Sequence, residues 1–412
     1  MGGSHTKTWP SPADLTLPDS SGWNKVPLIG ALIGVACIGA AAAMGWTSGR
    51  FAFAYLTAYM YWLSIALGGL FFVIIQFAAR AGWSVLVRRV AENIAATMPL
   101  FAVLFIPILL NMDHLYHHWL HPDANDAVLA HKAGYLNKTF FLVRAALYFI
   151  TWTGLALFFH RQSTRQDVDG DIRHTSKMQA MSYPAIALFG LSITFAAIDW
   201  VKSIDPHWFS TMWGVYYFAG AILGFFALFG LLTVMMTREG SDLFHGTVTT
   251  EHRHDIGKFT FGFVVFWTYI AFSQYFLIWY ASLPEETVWF KHHLAGNWEA
   301  VGYVLIGGHF ILPFLFLMSR HMKRNRTTYA MGAVWLLFMH WVDLYWNIMP
   351  MYVPHGAPAD YHSHFALSPE DILTFVGVGG LFFATFAFLL RRQAIVPIRD
   401  PRLGESLRFE NF

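Results

Sequence analysis

The sequence predicts an all-α polytopic membrane protein of about ten transmembrane helices. Three observations carry this. The 412 residues are 56% hydrophobic and only 13% charged, about half the charge of a soluble domain. Apolar stretches long enough to span a bilayer, about 20 residues each, recur along the whole chain. Lys and Arg concentrate in alternate loops, as orientation in a membrane demands.

The stretches follow in order. Val26–Met44 has no charge, and Phe51–Ala79 is long enough to tilt. Val90–Met112 ends beside an acid, Lys138–Phe159 contains Arg144, and Met178–Trp200 holds Asp199 near its end. Thr211–Met236 and Ile256–Tyr280 are aromatic-rich. Trp298–Met318 carries His309, Thr328–Met349 carries His340 and Asp343, and Asp371–Leu390 closes the set. The chain then divides into an N-terminal segment (1–25), a ten-helix membrane domain (26–390) and a C-terminal tail (391–412). No hydrophilic insertion is long enough for a separate soluble domain.

With both termini and the even-numbered loops on one side, that side holds 21 basic residues against five on the other. Both termini are therefore expected to be cytoplasmic. The polar N-terminus lacks the basic-then-apolar order of a signal peptide. The net charge of +2 says nothing about nucleic acid, and no run of Lys and Arg is long enough to suggest such a partner. The single cysteine, Cys37, leaves no internal disulfide, four-cysteine iron–sulfur site or C-x-x-C-H haem attachment. Its expected role is packing.

Ionisable residues within the membrane usually face a bundle interior. Asp113, Asp199 and Asp343 lie near the outer ends of outward-running helices, and Arg144, Tyr148 and Gln274 fall at comparable depth. Together they predict an outer polar layer, a candidate quinone site or a set of structural pairs. His340 and Asp343, three apart, share a helical face. With His309, at similar depth, they form a candidate proton path. Bis-histidine haem ligation by His309 and His340 is a weaker alternative. His114, His117, His118 and His121 could suggest zinc, but their spacing puts at most three on one face, and polar contacts are the simpler reading. "NMDHLYHHW" and "HWVDLYWN" echo each other, a hint that two four-helix bundles (helices 2–5 and 6–9) are related.

Four segments carry a specific resemblance: "KTFFLVRAALYFITW", "FAAIDWVKSIDPHWFSTMWGVYYFAG", "FSQYFLIWYASLPEE" and "MHWVDLYWNIMP". They resemble the NrfD-like (PsrC-like) membrane subunits of bacterial Alternative Complex III, a quinol:cytochrome c or quinol:electron-acceptor oxidoreductase. That complex has two such paralogues, ActC and ActF, and the compact loops here are more similar to ActF. The resemblance implies two four-helix bundles with one flanking helix at each end of the chain, in the bacterial inner (cytoplasmic) membrane. It implies partners: the ActC paralogue, a multihaem cytochrome c, an iron–sulfur subunit, small membrane or lipid-anchored subunits, membrane lipids and a terminal oxidase as acceptor. Haem c and iron–sulfur clusters would sit on those partners, menaquinol or ubiquinol would be the quinol, and this chain would hold no redox cofactor or metal. Its expected role is structural and proton-conducting. The alternatives are a quinol-oxidising subunit like ActC and, from another class, an independent transporter.

Overall fold

In the computed structural model, residues 15–240, 242–354 and 363–411 are described. The N-terminal residues 1–14 and part of the His-rich loop before the last span (355–362) lie outside this set. The ordered elements of the described residues are all helices, joined by turns and loops, with no strand. Nine helices are long and apolar enough to cross a membrane. They include α1 (Val26–Gly45), α2 (Arg50–Ala78), the segmented α3 (Val85–Leu110), α4 (Lys138–Asp169) and α5 (Arg173–Trp200). They continue with α6 (Trp213–Met236), α7 (Thr250–Ala281), α8 (Trp298–Met318) and α10 (Pro369–Leu390). The tenth long helix, α9 (Arg326–Ile348), has 23 residues, enough to span at 1.5 Å per residue. Its polar side chains, His340, Asp343 and Asn347, lower its apolarity.

The sequence expectation misplaces several ends. α4 continues ten residues past Phe159, and α7 starts six residues before Ile256. These extensions are polar, so an apolar window misses them, but they are capped. Asn137 accepts from the Phe140 N–H at the start of α4, and Gly170 ends it with φ +72°, a conformation that favours glycine. Thr249 and His252 form a reciprocal cap at the start of α7.

The packing groups α2–α5 and α6–α9 into two four-helix bundles, joined where α2 meets α6 and α9. α1 and α10 pair with each other, and α10 also packs on α2. The two flanking helices thus form one layer. α2 is the centre: 89% of its apolar window is buried, against 11% for the N-terminal span. Small residues set the closest approaches. A Cβ added at Gly68 on α2 would lie 2.4 Å from Phe225 Cβ and 2.7 Å from Ala221 O on α6.

The segment before α1 and the segment after α10 meet where Ile395 N–H donates to Leu15 O at 2.8 Å. The C-terminal residues 391–411 are no loose tail. Ile395, Val396 and Ser406 are fully buried. Arg88 donates to Asp400 (2.6 Å) and Glu92 (3.0 Å), and Arg89 to Glu92 (2.8 Å) and Asp167 (2.7 Å). Arg88 thus ties the tail to α3 and Arg89 ties α3 to α4, and each buried charge would be costly without its partner.

Candidate functional site

Two buried carboxylates stand at matching places, one in each bundle. Asp199 is near the end of α5, and Asp343 is near the end of α9. In each case the side chain four residues later bonds back to the acid's carbonyl: Ser203 Oγ to Asp199 O at 2.5 Å, and Asn347 Nδ2 to Asp343 O at 2.7 Å. A short 3₁₀ turn follows each helix. The sequences align as D-x-x-x-[S/N]-I-x-P, with Pro206 and Pro350 at the last position. This is a longer internal match than the "LY" echo, which paired Asp343 with Asp113. Asp113 is a different kind of site: its side chain is 81% exposed and, among the described residues, pairs with His121 at 3.3 Å.

The environments of Asp199 and Asp343 differ in one decisive respect. Arg144 from α4 grips Asp199 with two bonds, Nε to Oδ2 at 2.7 Å and Nη2 to Oδ1 at 3.0 Å. Tyr148 OH, one turn along α4, donates to Oδ2 at 2.7 Å. Arg144 also donates to Tyr135 O at 2.8 Å and lies over the rings of Tyr135 and Phe140. Both carboxylate oxygens are occupied and the charge is neutralised in bidentate geometry. A quinol hydroxyl would meet a carboxylate whose charge is already neutralised and whose Oδ2 already accepts two donors.

Asp343 has donors but, among the described residues, no cation. Tyr216 OH from α6 and Asn347 Nδ2 (3.1 Å) donate to Oδ1, and Trp267 Nε1 from α7 donates to Oδ2 at 3.3 Å. One turn back along α9, His340 Nε2 meets Ser64 Oγ of α2 at 2.8 Å. Ser64 donates its proton to Tyr61 O at 2.6 Å, so its oxygen accepts from His340 Nε2–H. That assigns the tautomer and leaves Nδ1 as an acceptor without a partner among the described residues.

Glycines on α6 create the room for this. A Cβ at Gly224 would come within 2.8 Å of the His340 ring. A Cβ at Gly220 would lie 3.4 Å from His340 Nδ1 and 3.7 Å from Asp343 Oδ2, between imidazole and carboxylate. Gly220, His340, Asp343, Asn347 and Tyr216 line a cavity of about 10 Å³ there, the size that holds a single water. Haem does not fit such a space, and Ser64 already occupies His340 Nε2.

His309 belongs to the same region. It sits in a π-helical segment of α8, Leu305–Ile311, a distortion common at functional sites. Trp335 Nε1 donates to the Gly308 carbonyl within it, at 2.7 Å. The His309 ring packs on Trp267 at 4.0 Å between centroids, fully buried, with neither nitrogen bonded. Trp267 thus touches both His309 and Asp343.

The expected outer polar layer therefore separates into four places. Arg144, Tyr148 and Asp199 form one site, and Asp343 joins His340 and, through Trp267, His309. Gln274 instead accepts from Ser210 Oγ in the α5–α6 loop at 3.0 Å, and Asp113 is at the surface. Depth alone could not separate residues on different bundle faces. The clustered histidines lie on the turns Met112–Leu115 and His117–Leu120 and just beyond them. Among the described residues, no group of three His, Cys, Asp or Glu side chains is arranged to hold a metal.

Sequence reasoning missed Tyr216, Ser64, Trp267 and His293. His293, in the loop helix Pro284–His293, stacks on Trp289 at 3.7 Å, and its carbonyl accepts from Trp346 Nε1 on α9 at 3.0 Å. Burial pushes its pKa down to about 3. Between pH 6.5 and 3 the unfolded chain binds a proton that folded His293 refuses, so stability falls as pH is lowered through that window. His293→Phe keeps the stack and is expected to flatten the fall, by up to about 1.4 kcal/mol per pH unit. Thermal unfolding across that range checks this, and an unchanged slope would refute it.

No known protein-family model matches the chain, and no curated protein matches it.

Proposed function

We propose that this chain is an ActF-type, NrfD-like membrane subunit of an Alternative Complex III, and that its Asp343 cluster conducts protons. The quoted segments support the family reading, and the pairing of two four-helix bundles agrees with it. The observation that carries the proton role is Asp343 itself. A carboxyl buried in a membrane protein without a cation is expensive and is characteristically functional. It can exchange a proton without breaking an ion pair, and His340 Nδ1 stands across a one-water cavity as the next acceptor. His309 lies further along the same cluster. On this reading both termini are cytoplasmic in a bacterial inner membrane. Quinol oxidation would occur on the ActC paralogue, with haem c and iron–sulfur clusters on the other partners. The occupied oxygens of Asp199 weigh against the alternative of a quinol site on this chain.

Purification of the tagged chain from its own membranes tests the assignment. A multihaem cytochrome c and an iron–sulfur protein should accompany it. A chain isolated alone that moves a solute across liposomes would instead make it a transporter. Gly220→Ala tests the path. The methyl fills the space between His340 and Asp343, and the ring must yield only a few tenths of an ångström, since its nearest atom would be 3.2 Å away. Proton flux should fall about tenfold or more, while the change in stability stays near 1 kcal/mol. Unaltered flux would exclude that cavity from the path.

A further inference from the structure

α8 ends at Met318 and α9 begins at Arg326. The connection "SRHMKRN" contains Arg320, Lys323 and Arg324, and Arg326 follows at once, with no acid among them. These cations have different duties. Lys323 Nζ donates to Leu317 O (2.5 Å) and Met318 O (3.1 Å), capping α8 and holding the loop against its end. Arg324 forms two bonds to Glu251 on α7, 2.8 and 2.5 Å. Arg320 and His321 are exposed and have no carboxylate partner among the described residues. With Arg324 and Asn325 they line a surface recess of about 610 Å³.

The surroundings favour an anion. Lys258, Arg324, Arg320 and Lys323 are the charges felt most strongly at the His254 ring on α7, and all four are cationic. The nearby acids are committed: Glu251 to Arg324 and Asp255 to Lys258, while Glu239 stands 4.0 Å from Arg326. Arg253 Nε and His254 Nδ1 are buried on α7 without partners. Along α8, leading up to the loop, Leu312, Leu315 and Met318 are about half exposed or more. A basic recess thus meets a lipid-facing apolar strip.

We infer that this recess binds the phosphate headgroup of an anionic phospholipid, with Arg320, His321 and Arg324 around the phosphate and an acyl chain along Leu312, Leu315 and Met318. Basic pockets at the membrane surface between spans recognise such headgroups. Arg324 has its charge already shared, so Arg320 supplies the uncompensated one. The inference does not depend on the proposed function.

The test uses the full chain in nanodiscs or detergent, with retained lipid counted by native mass spectrometry. Phosphatidylglycerol should be retained in preference to phosphatidylcholine. Arg320→Gln should weaken that retention about fivefold, and His321→Gln should weaken it further in the double variant. Thermal unfolding without added lipid should be unchanged, because neither side chain has a hydrogen-bond or ion-pair partner among the described residues. The inference would be overturned by equal retention of both lipids, by full retention in the double variant, or by displacement with millimolar inorganic phosphate, which marks a free-anion site. So would a recess covered by a protein partner and free of lipid in the assembled complex.

Discussion

Asp343→Asn lowers proton conduction through the chain by about tenfold or more, because it removes the only ionisable oxygen pair in the cluster. The substitution keeps the volume and an acceptor for Tyr216 or Trp267, so folding should survive with a loss near 1 kcal/mol. Asp343→Glu should restore part of the flux, since the carboxyl returns with its position shifted by a methylene. Flux is read from a pH-sensitive dye inside liposomes carrying the purified chain. Undiminished flux in Asp343→Asn would remove Asp343 from the path. Equal losses in Asp343→Asn and Asp343→Glu, with normal folding, would point to geometry rather than proton exchange.

Arg144→Ala has the largest effect on stability. It strands Asp199, which is fully buried and bound by two of the arginine's nitrogens. Breaking a buried pair from one side costs about 3–5 kcal/mol, whereas replacing both partners with apolar groups of similar volume is often neutral. The double variant Arg144→Met with Asp199→Leu should therefore recover most of the loss. Thermal unfolding in detergent checks both. A mild Arg144→Ala, or a double variant as unstable as the single, would show that the pair does not hold α4 to α5. If the double variant, once assembled, loses quinol oxidation while remaining folded, Asp199 acts in chemistry and the structural reading fails.

Much of this fold was legible because a bilayer imposes a simple code. Apolar windows located the helices, and the pairing of α1 with α10 was the main arrangement they could not reveal. The polar ends of α4 and α7 were missed because caps, not hydrophobicity, define them. The sites were legible only in part. Arg144, Tyr148 and Asp199 met because depth and helical phase were readable from topology. Gln274 and Asp113 shared that depth but belonged to other faces. The His340–Asp343 pair was visible at i,i+3 spacing, yet Ser64, Tyr216 and Gly220 come from distant helices and carry no local signal. One signal was available: D-x-x-x-[S/N]-I-x-P occurs at both Asp199 and Asp343. It equates the two acids, and the difference between them, a single arginine, distinguishes a paired carboxylate from one free to exchange a proton.

The most direct measurement follows quinol turnover and proton movement together, in liposomes containing the assembled complex with either wild-type chain or Asp343→Asn. Quinol oxidation is expected to persist in the variant while proton movement through this subunit is lost. Proton movement at the wild-type ratio to electrons, in a variant that still oxidises quinol, would contradict it.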